Sequence, residues 1–279
     1  MSSTLLCGRF ELLLERPLIM GILNVTPDSF SDGSLHFETD AAISHGKALI
    51  NEGADILDIG AESTRPGADP VSAADELKRL LPVIEGLRDS NIPLSIDTFK
   101  PEVMTRVLDA GVDMINDIYG FRQPGAIDAV AASRCGLCVM HMQGEPRTMQ
   151  HDPRYHDPLD EVLQFLRGRV DVMLKQGIQP QRILLDPGFG FGKTPQQNYE
   201  ILRRLAELNI DNYPVLVALS RKSMIGHVTG RLPAERVSGS VAGALAGVAR
   251  GAKVVRVHDV AATVDALKVW HAVEHGVYE

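Results

Sequence analysis

Ile183-Leu184-Leu185-Asp186-Pro187-Gly188-Phe189-Gly190-Phe191-Gly192-Lys193-Thr194 carries in one stretch the pattern that organises the whole chain. Three apolar residues run into an aspartate, and Pro187 and Gly188 end any regular structure. A short apolar run bounded by turn signals reads as a strand buried on both faces. The same pattern recurs at Leu18–Leu23, Ile56–Ile59, Pro93–Ile96, Met114–Ile115, Leu137–Met140, Val215–Leu219 and Val254–Val257. Amphipathic stretches separate the runs, as in Ala41–Asn51, Ser72–Leu87, Leu159–Leu174 and Asn198–Leu208. In the second of these, Ser72 with Asp75 resembles a capping box, and Leu77, Leu80, Leu81, Ile84 and Leu87 form an apolar stripe. Strands alternating with helices imply βαβ units and a parallel sheet.

Eight such units fit a closed (β/α)8 TIM barrel, or an open doubly wound sheet. The residue after each run favours the barrel. These residues are Asn24, Asp58 with Glu62, Asp97, Asn116 with Asp117, His141, Asp186, Ser220 with Arg221, and His258. In a barrel all of them converge on one rim, where barrel active sites lie. In an open sheet they would spread along a line. So many polar ends are costly to leave unpaired unless they hold a ligand. The expected architecture is therefore α/β, a single barrel domain over residues 1–279. Residues 1–16 form an N-terminal extension in which Leu5, Leu6, Phe10, Leu12 and Leu14 suit a small hairpin covering the opposite end.

Composition agrees with one large domain. The chain has 279 residues, 44% hydrophobic and 23% charged, so a sizeable core is available. Aromatic residues make up only 5%, which leaves aliphatic side chains to fill the interior. A formal charge of −8 offers no basic surplus for nucleic acid, although a local group of Arg and Lys can still hold a small anion. No apolar run approaches about 20 residues, and the N-terminus reads as no signal peptide. An odd count of 3 cysteines is no disulfide framework and fits a reducing cytosol. Cys135 and Cys138 have C-x-x-C spacing, but no second pair accompanies them and the apolar run continues through Cys138. They read as buried thiols.

Several loops carry more chemistry than a turn needs. Asn24-Val-Thr-Pro-Asp28-Ser-Phe30-Ser-Asp32-Gly33 and Asp58-Ile-Gly60-Ala-Glu62-Ser-Thr64-Arg65-Pro66-Gly67 follow the first two barrel strands. Loops of this length and composition at a catalytic rim often act as lids. Arg65 reads equally as an anion-facing or a solvated arginine. Asp97, Asn116 with Asp117, and Asp186 each emerge straight from an apolar strand. Any one of them could cap a helix, but together they favour a pocket for a ring with parallel N–H donors, such as a 2-amino-4-oxo-pyrimidine. Gly192-Lys193-Thr194 imitates a phosphate loop, yet the glycine required five residues earlier is Pro187, and the dinucleotide fingerprint fails as well. Arg256 and His258 alternate by two and share a strand face, while Lys222 and Ser223 precede an apolar helical segment. Barrels commonly bind phosphate at these last two loops.

The segments GILNVTPDSFSDG, DILDIGAESTRPGA, SIDTFKPEV, INDIYGF, LLDPGFGFGKT, SRKSMIG and VRVHDV, taken in order from Leu18 to Val260, resemble the dihydropteroate synthase family. The resemblance implies a TIM barrel, usually a homodimer, acting in cytoplasmic folate biosynthesis. Its substrates would be 6-hydroxymethyl-7,8-dihydropterin diphosphate and p-aminobenzoate, with 7,8-dihydropteroate and diphosphate as products. It implies a pterin pocket of Asp97, Asn116, Met140, Asp186 and Lys222. Diphosphate would lie against Asn24, Arg256 and His258, with Mg2+ touching Asn24. The p-aminobenzoate site would comprise Phe30, Thr64, Arg65, Pro66, Phe191 and Ser223, bordering where sulfonamide mimics bind. Asp32, Asp97, Lys222 and Arg65 would act in the chemistry, with Asp32 and Arg65 arriving on mobile loops. A methyltetrahydrofolate-type methyltransferase domain could share the pterin carboxylates but has no use for the diphosphate cluster. A silent pterin-binding homologue would be expected to lose the loop charges that this chain retains.

Overall fold

Side-chain parity along each strand explains the architecture, because successive residues of a buried strand face opposite sides of the sheet. A computed structural model describes residues 4–25, 35–63, 70–146, 148–208 and 210–277, with residues 35–37 as backbone only. The chain begins with β1 (Thr4–Cys7) and β2 (Phe10–Leu13). The barrel strands follow: β3 (Leu18–Asn24), β4 (Ile56–Gly60), β5 (Leu94–Asp97), β6 (Met114–Asp117), β7 (Gly136–Met140), β8 (Ile183–Asp186), β9 (Leu216–Val217) and β10 (Val254–Val257). In β4, Leu57 and Ile59 face the helices and join the large outer core, while Ile56 joins a separate inner core. Likewise Ile19, Ile115, Leu137, Leu185 and Val255 point outward, and Met20, Met114, Cys138, Leu184 and Val254 point inward.

The eight strands are parallel in the order β8-β7-β6-β5-β4-β3-β10-β9. Val215 bridges Leu185 in parallel, and the Leu185 N–H donates to Pro214 O at 2.9 Å, which brings the two sheet edges together and closes the barrel. The helices are α1 (Leu35–Asn51), α2 (Ala73–Leu87), α3 (Pro101–Asp109), α4 (Ala126–Ala131), α5 (Pro158–Lys175), α6 (Pro195–Arg203), α7 (Ser223–Thr229), α8 (Val237–Val248) and α9 (Val260–His275). No helix among the described residues is long and apolar enough to cross a membrane.

Some expected boundaries shift for local reasons. The strand expected at Val215–Leu219 is reduced to Leu216–Val217, because the Lys222 N–H turns back to Leu219 O and Arg221 adopts a φ of 59°. The helix expected over Asn198–Leu208 begins instead at Pro195, capped by a reciprocal Thr194–Gln197 box, and breaks at Arg203 before a short 3-10 turn. Only half of the box expected at Ser72 forms: Ser72 Oγ accepts the Asp75 N–H at 3.1 Å, but the Asp75 carboxylate takes the Ser72 hydroxyl at 2.6 Å rather than the cap backbone. In α2 the buried face is Glu76, Leu80, Val83, Ile84 and Leu87, with Leu77 and Leu81 only half-buried.

The N-terminal strands pair antiparallel, Thr4 opposite Leu13. Leu5, Cys7 and Leu14 pack into the inner core against Leu18, Ile56, Met114, Leu216 and Val254, residues at the starts of barrel strands. The hairpin thus plugs the end opposite the polar rim. Gly8 makes its turn at φ 58°, where a Cβ would lie 2.6 Å from Asp113 Oδ1. Arg9 then grips Asp113 through Nε and Nη2, each at 2.9 Å. The cysteines face different surroundings: Cys138 lies in the inner core and Cys135 in the outer one, and burial raises both thiols above their ordinary value. They are buried thiols.

Candidate active site

The same parity that sends Leu57, Ile96, Ile115 and Leu185 outward sends Asp58, Asp97, Asn116 and Asp186 inward, toward the C-terminal ends of β4, β5, β6 and β8. Arg256 of β10 sits among them with 16% of its side chain exposed, its Nε donating to Asp58 Oδ2 at 2.6 Å and its Nη2 to Asp97 Oδ2 at 2.9 Å. Asn116 Nδ2 donates to the same Asp58 oxygen at 3.1 Å. Asp117, one residue on, faces the other way, and its carboxylate accepts the N–H groups of Tyr119 and Phe121 at 2.7 Å each.

Burial dominates the electrostatics here. It pushes the Asp97 carboxyl up to about 7, against the pull of Arg256 and with added repulsion from Asp58. It raises Asp186 as well, opposed by Lys222 and by the Gly188 N–H, which donates at 2.7 Å. Lys222 is pulled down to about 8 by burial although Asp186 favours its charge. Burial also disfavours the Arg256 guanidinium, but Asp58 and Asp97 outweigh it and hold the group protonated. Three fully buried atoms on the neighbouring strands β4, β5 and β6, Asp58 Oδ1, Ser95 Oγ and Asn116 Oδ1, have no hydrogen-bond partner among the described residues. Each such atom costs roughly 1–3 kcal/mol until a donor or acceptor reaches it.

The loop after β8 forms one wall. Gly188 is obligatory at φ 69°, since a Cβ there would meet His141 O at 1.8 Å. Lys222 Nζ donates to Phe189 O and lies 4.8 Å over the Phe191 ring. Buried Lys193 donates to Gly188 O at 2.8 Å, to Phe191 O at 3.0 Å and to His141 Nδ1 at 3.0 Å. The loop therefore offers carbonyls to cations, the opposite of a phosphate loop, as the misplaced Pro187 foretold. Met140 packs with Ile118, Tyr119, Met142 and Met149 in a small apolar cluster, with Phe99 and Phe191 beside it.

Asn24 ends β3 and His258 directly follows β10, the neighbouring strand, on the same rim. The His258 ring Nδ1 lies 3.0 Å from Ser220 Oγ, which also accepts the His258 N–H at 3.1 Å. Arg221 turns to Asp259, with Nη2 to Oδ1 at 2.5 Å. Exposed Ser223 begins α7 beside Lys222. The structure thus gathers Asp97, Asn116 and Arg256 in one hydrogen-bonded group, sets Lys222 in the field of Asp186 and over Phe191, and packs Phe191 beside the Met140 cluster. Phe30, Asp32, Thr64, Arg65 and Pro66 lie outside the described residues.

Sequence reasoning left Asp58 out of the pocket, treating it only as one more polar strand end, although it binds both Arg256 and Asn116. It also left out the Lys193–His141 pair and a part-buried triad in which Lys100 joins Glu62 and, at 2.6 Å, the fully buried Glu76. Strand parity was the available signal for Asp58, which shares the inward face with Ile56. The other two groupings join residues that no local pattern connects.

Residues 20–258 match the Pterin binding enzyme family, so the class that this barrel and its rim pocket define is a pterin-binding enzyme. The chain is 51% identical over 270 residues to the dihydropteroate synthase of Neisseria meningitidis serogroup C, covering 95% of each. It superposes on the Burkholderia cenocepacia dihydropteroate synthase complexed with 7,8-dihydropteroate with a TM-score of 0.90, at 54% identity over 97% of this chain and 96% of that one. Against the Xanthomonas albilineans dihydropteroate synthase with 4-aminobenzoic acid the TM-score is 0.91, at 51% identity over 98% and 99% of the two chains. The chain belongs to the dihydropteroate synthase family.

Proposed function

We propose that residues 1–279 act as one catalytic barrel that joins p-aminobenzoate to 6-hydroxymethyl-7,8-dihydropterin diphosphate in the cytoplasm, giving 7,8-dihydropteroate and diphosphate. The observation that supports this reading is the grouping of Asp97 and Asn116 around the Arg256 guanidinium, with Lys222 facing Asp186 on the same rim. Asp186 accepts the paired N–H groups of the pyrimidine edge, Asn116 and Lys222 bond the ring heteroatoms, and Met140 packs on its face. Phe191 and Ser223 border the p-aminobenzoate side, a role the family resemblance extends to Phe30, Thr64, Arg65 and Pro66.

An aryl amine is a weak nucleophile, whereas diphosphate next to a conjugated dihydropterin leaves readily. The C–O bond breaks first, its electron pair departing with diphosphate, and the amine nitrogen then bonds the methylene carbon and gives its proton to solvent. Asp97 holds negative charge beside the transient ring cation, a role the proposal also gives to Asp32. Arg256 commits Nε and Nη2 to Asp58 and Asp97, leaving Nη1 for the diphosphate alongside Asn24 and His258. Asn24 provides a hard amide oxygen of the kind Mg2+ accepts, and no cluster of three ligating His, Cys, Asp or Glu residues exists among the described residues. Asn24 would hold a Mg2+ there, and the ion would neutralise charge on the leaving group.

The exposed Val228, Leu232, Val269 and Val273 support a homodimer, which light scattering of the purified protein tests. Incubation with both substrates and Mg2+ tests the activity: 7,8-dihydropteroate is the expected product, and its absence overturns the reading.

A further inference from the structure

We infer that Asp58 is the positioning residue of the pocket, fixing which end of the Asn116 amide faces the pterin and holding Arg256 in place. This deepens the proposed function and rests on it. Asp58 is fully buried, and its Oδ2 accepts Asn116 Nδ2 at 3.1 Å and Arg256 Nε at 2.6 Å. A carboxylate only accepts, so the Asn116 NH2 must face Asp58. The Asn116 carbonyl oxygen is then necessarily turned elsewhere, and it is buried without a partner among the described residues. An acceptor held open in this way selects a ligand that brings an N–H to that point. The alternative orientation, with NH2 toward the ligand, would set a carbonyl dipole against the Asp58 charge.

The same oxygen sets the guanidinium. Arg256 reaches inward from β10 and is gripped by Asp58 on β4 and Asp97 on β5, so the arginine plane is fixed by two carboxylates rather than one. Without Asp58, Arg256 would pivot on Asp97 alone. One buried carboxylate on the second barrel strand therefore orients residues from the fourth and the eighth. A bulky apolar side chain at position 58 would fill the space, but it would orient neither group.

Steady-state kinetics of the wild type, D58N, N116A and the double variant test this. D58N keeps the shape and one acceptor, but its amide can meet Asn116 with either end. Its KM for the dihydropterin diphosphate is expected to rise about tenfold or more, the scale of a misplaced binding group. Its KM for p-aminobenzoate is expected to stay within about twofold, the ordinary scatter between independent sites. In the N116A background the effect of D58N should shrink clearly. A residue that merely supported the fold would lower the melting temperature and act additively. An unchanged pterin KM, or an additive cycle, overturns the inference. Should D58N fail to fold, N116A and R256K are combined instead: both changes lean on Asp58 Oδ2, so they must be non-additive, and additivity again overturns it. A wild-type chain that forms no dihydropteroate overturns the underlying reading, a result distinct from either.

Discussion

Arg256 Nη2 lies 2.9 Å from Asp97 Oδ2, so the last strand of the barrel is tied to the third by an ion pair at the mouth of the pocket. The pair is largely buried, and desolvation leaves the Asp97 carboxyl at about 7 despite its cationic partner. Nearby Lys222 is lowered to about 8. Both charged forms serve the proposed chemistry, and both are lost within a narrow range of pH.

The kcat/KM for the dihydropterin diphosphate should therefore be bell-shaped. It falls below about 7 as Asp97 takes up a proton and above about 8 as Lys222 loses one. K222R should move the alkaline limb upward. A profile that is flat from about pH 6 to about pH 9 would contradict these assignments.

Stability should respond to the same carboxylate with the opposite preference. An aspartate raised from an unfolded value near 3.9 to about 7 stabilises the fold fully below the first value, and that contribution is lost as pH rises through the second. D97N should melt a few degrees above the wild type in alkaline buffer, and the gap should close as pH is lowered, while kcat collapses throughout. Thermal melts across pH check this. A D97N protein less stable at high pH than the wild type would show that the Arg256 pairing outweighs the burial.

Lys100 should matter more to stability than a surface lysine does. Its ammonium is the partner of the fully buried Glu76 carboxylate at 2.6 Å. K100M should cost roughly 3–5 kcal/mol in urea unfolding, because it strands that charge. E76Q in the same chain should recover most of the loss, and the absence of recovery would mean that Glu76 is not the cause.

Lys193 holds the wall that carries Phe191. K193M leaves the carbonyls of Gly188 and Phe191 without the donor that bonds them at 2.8 and 3.0 Å. A loss of about 1–3 kcal/mol is expected, with a raised KM for p-aminobenzoate. An unchanged KM would separate the loop from that substrate.

At the far end of the barrel the two effects should part. Leu5 is fully buried in the inner core below the pocket. L5A should cost about 2–5 kcal/mol of stability while kcat per folded molecule stays unchanged, since that face of a barrel serves stability. A matching fall in kcat would show that the hairpin couples to the rim.

Strand positions were legible because each strand buries both faces, so apolar runs such as Leu184 and Leu185 stop abruptly at a polar residue like Asp186. The pocket members Asp97, Asn116 and Asp186 were legible for the same reason. Asp58 was harder to see, as it sits within its run, between Leu57 and Ile59, and only the inward parity of β4 marks it. Glu76 leaves no signal in the sequence: a carboxylate breaks the apolar stripe of α2, and the lysine that lets it be buried there lies beyond the next strand. The inward turn of Lys193 depends on His141 and on carbonyls that become acceptors only once Gly188 bends the loop. Such long-range pairings leave no local period to read.

Amine-dependent release of diphosphate is the defining property of the proposed activity. Purified protein with the dihydropterin diphosphate and Mg2+ should release diphosphate when p-aminobenzoate is added, with dihydropteroate appearing in equal amount. Release at the same rate without the amine, or tight pterin binding with no release at all, would contradict it.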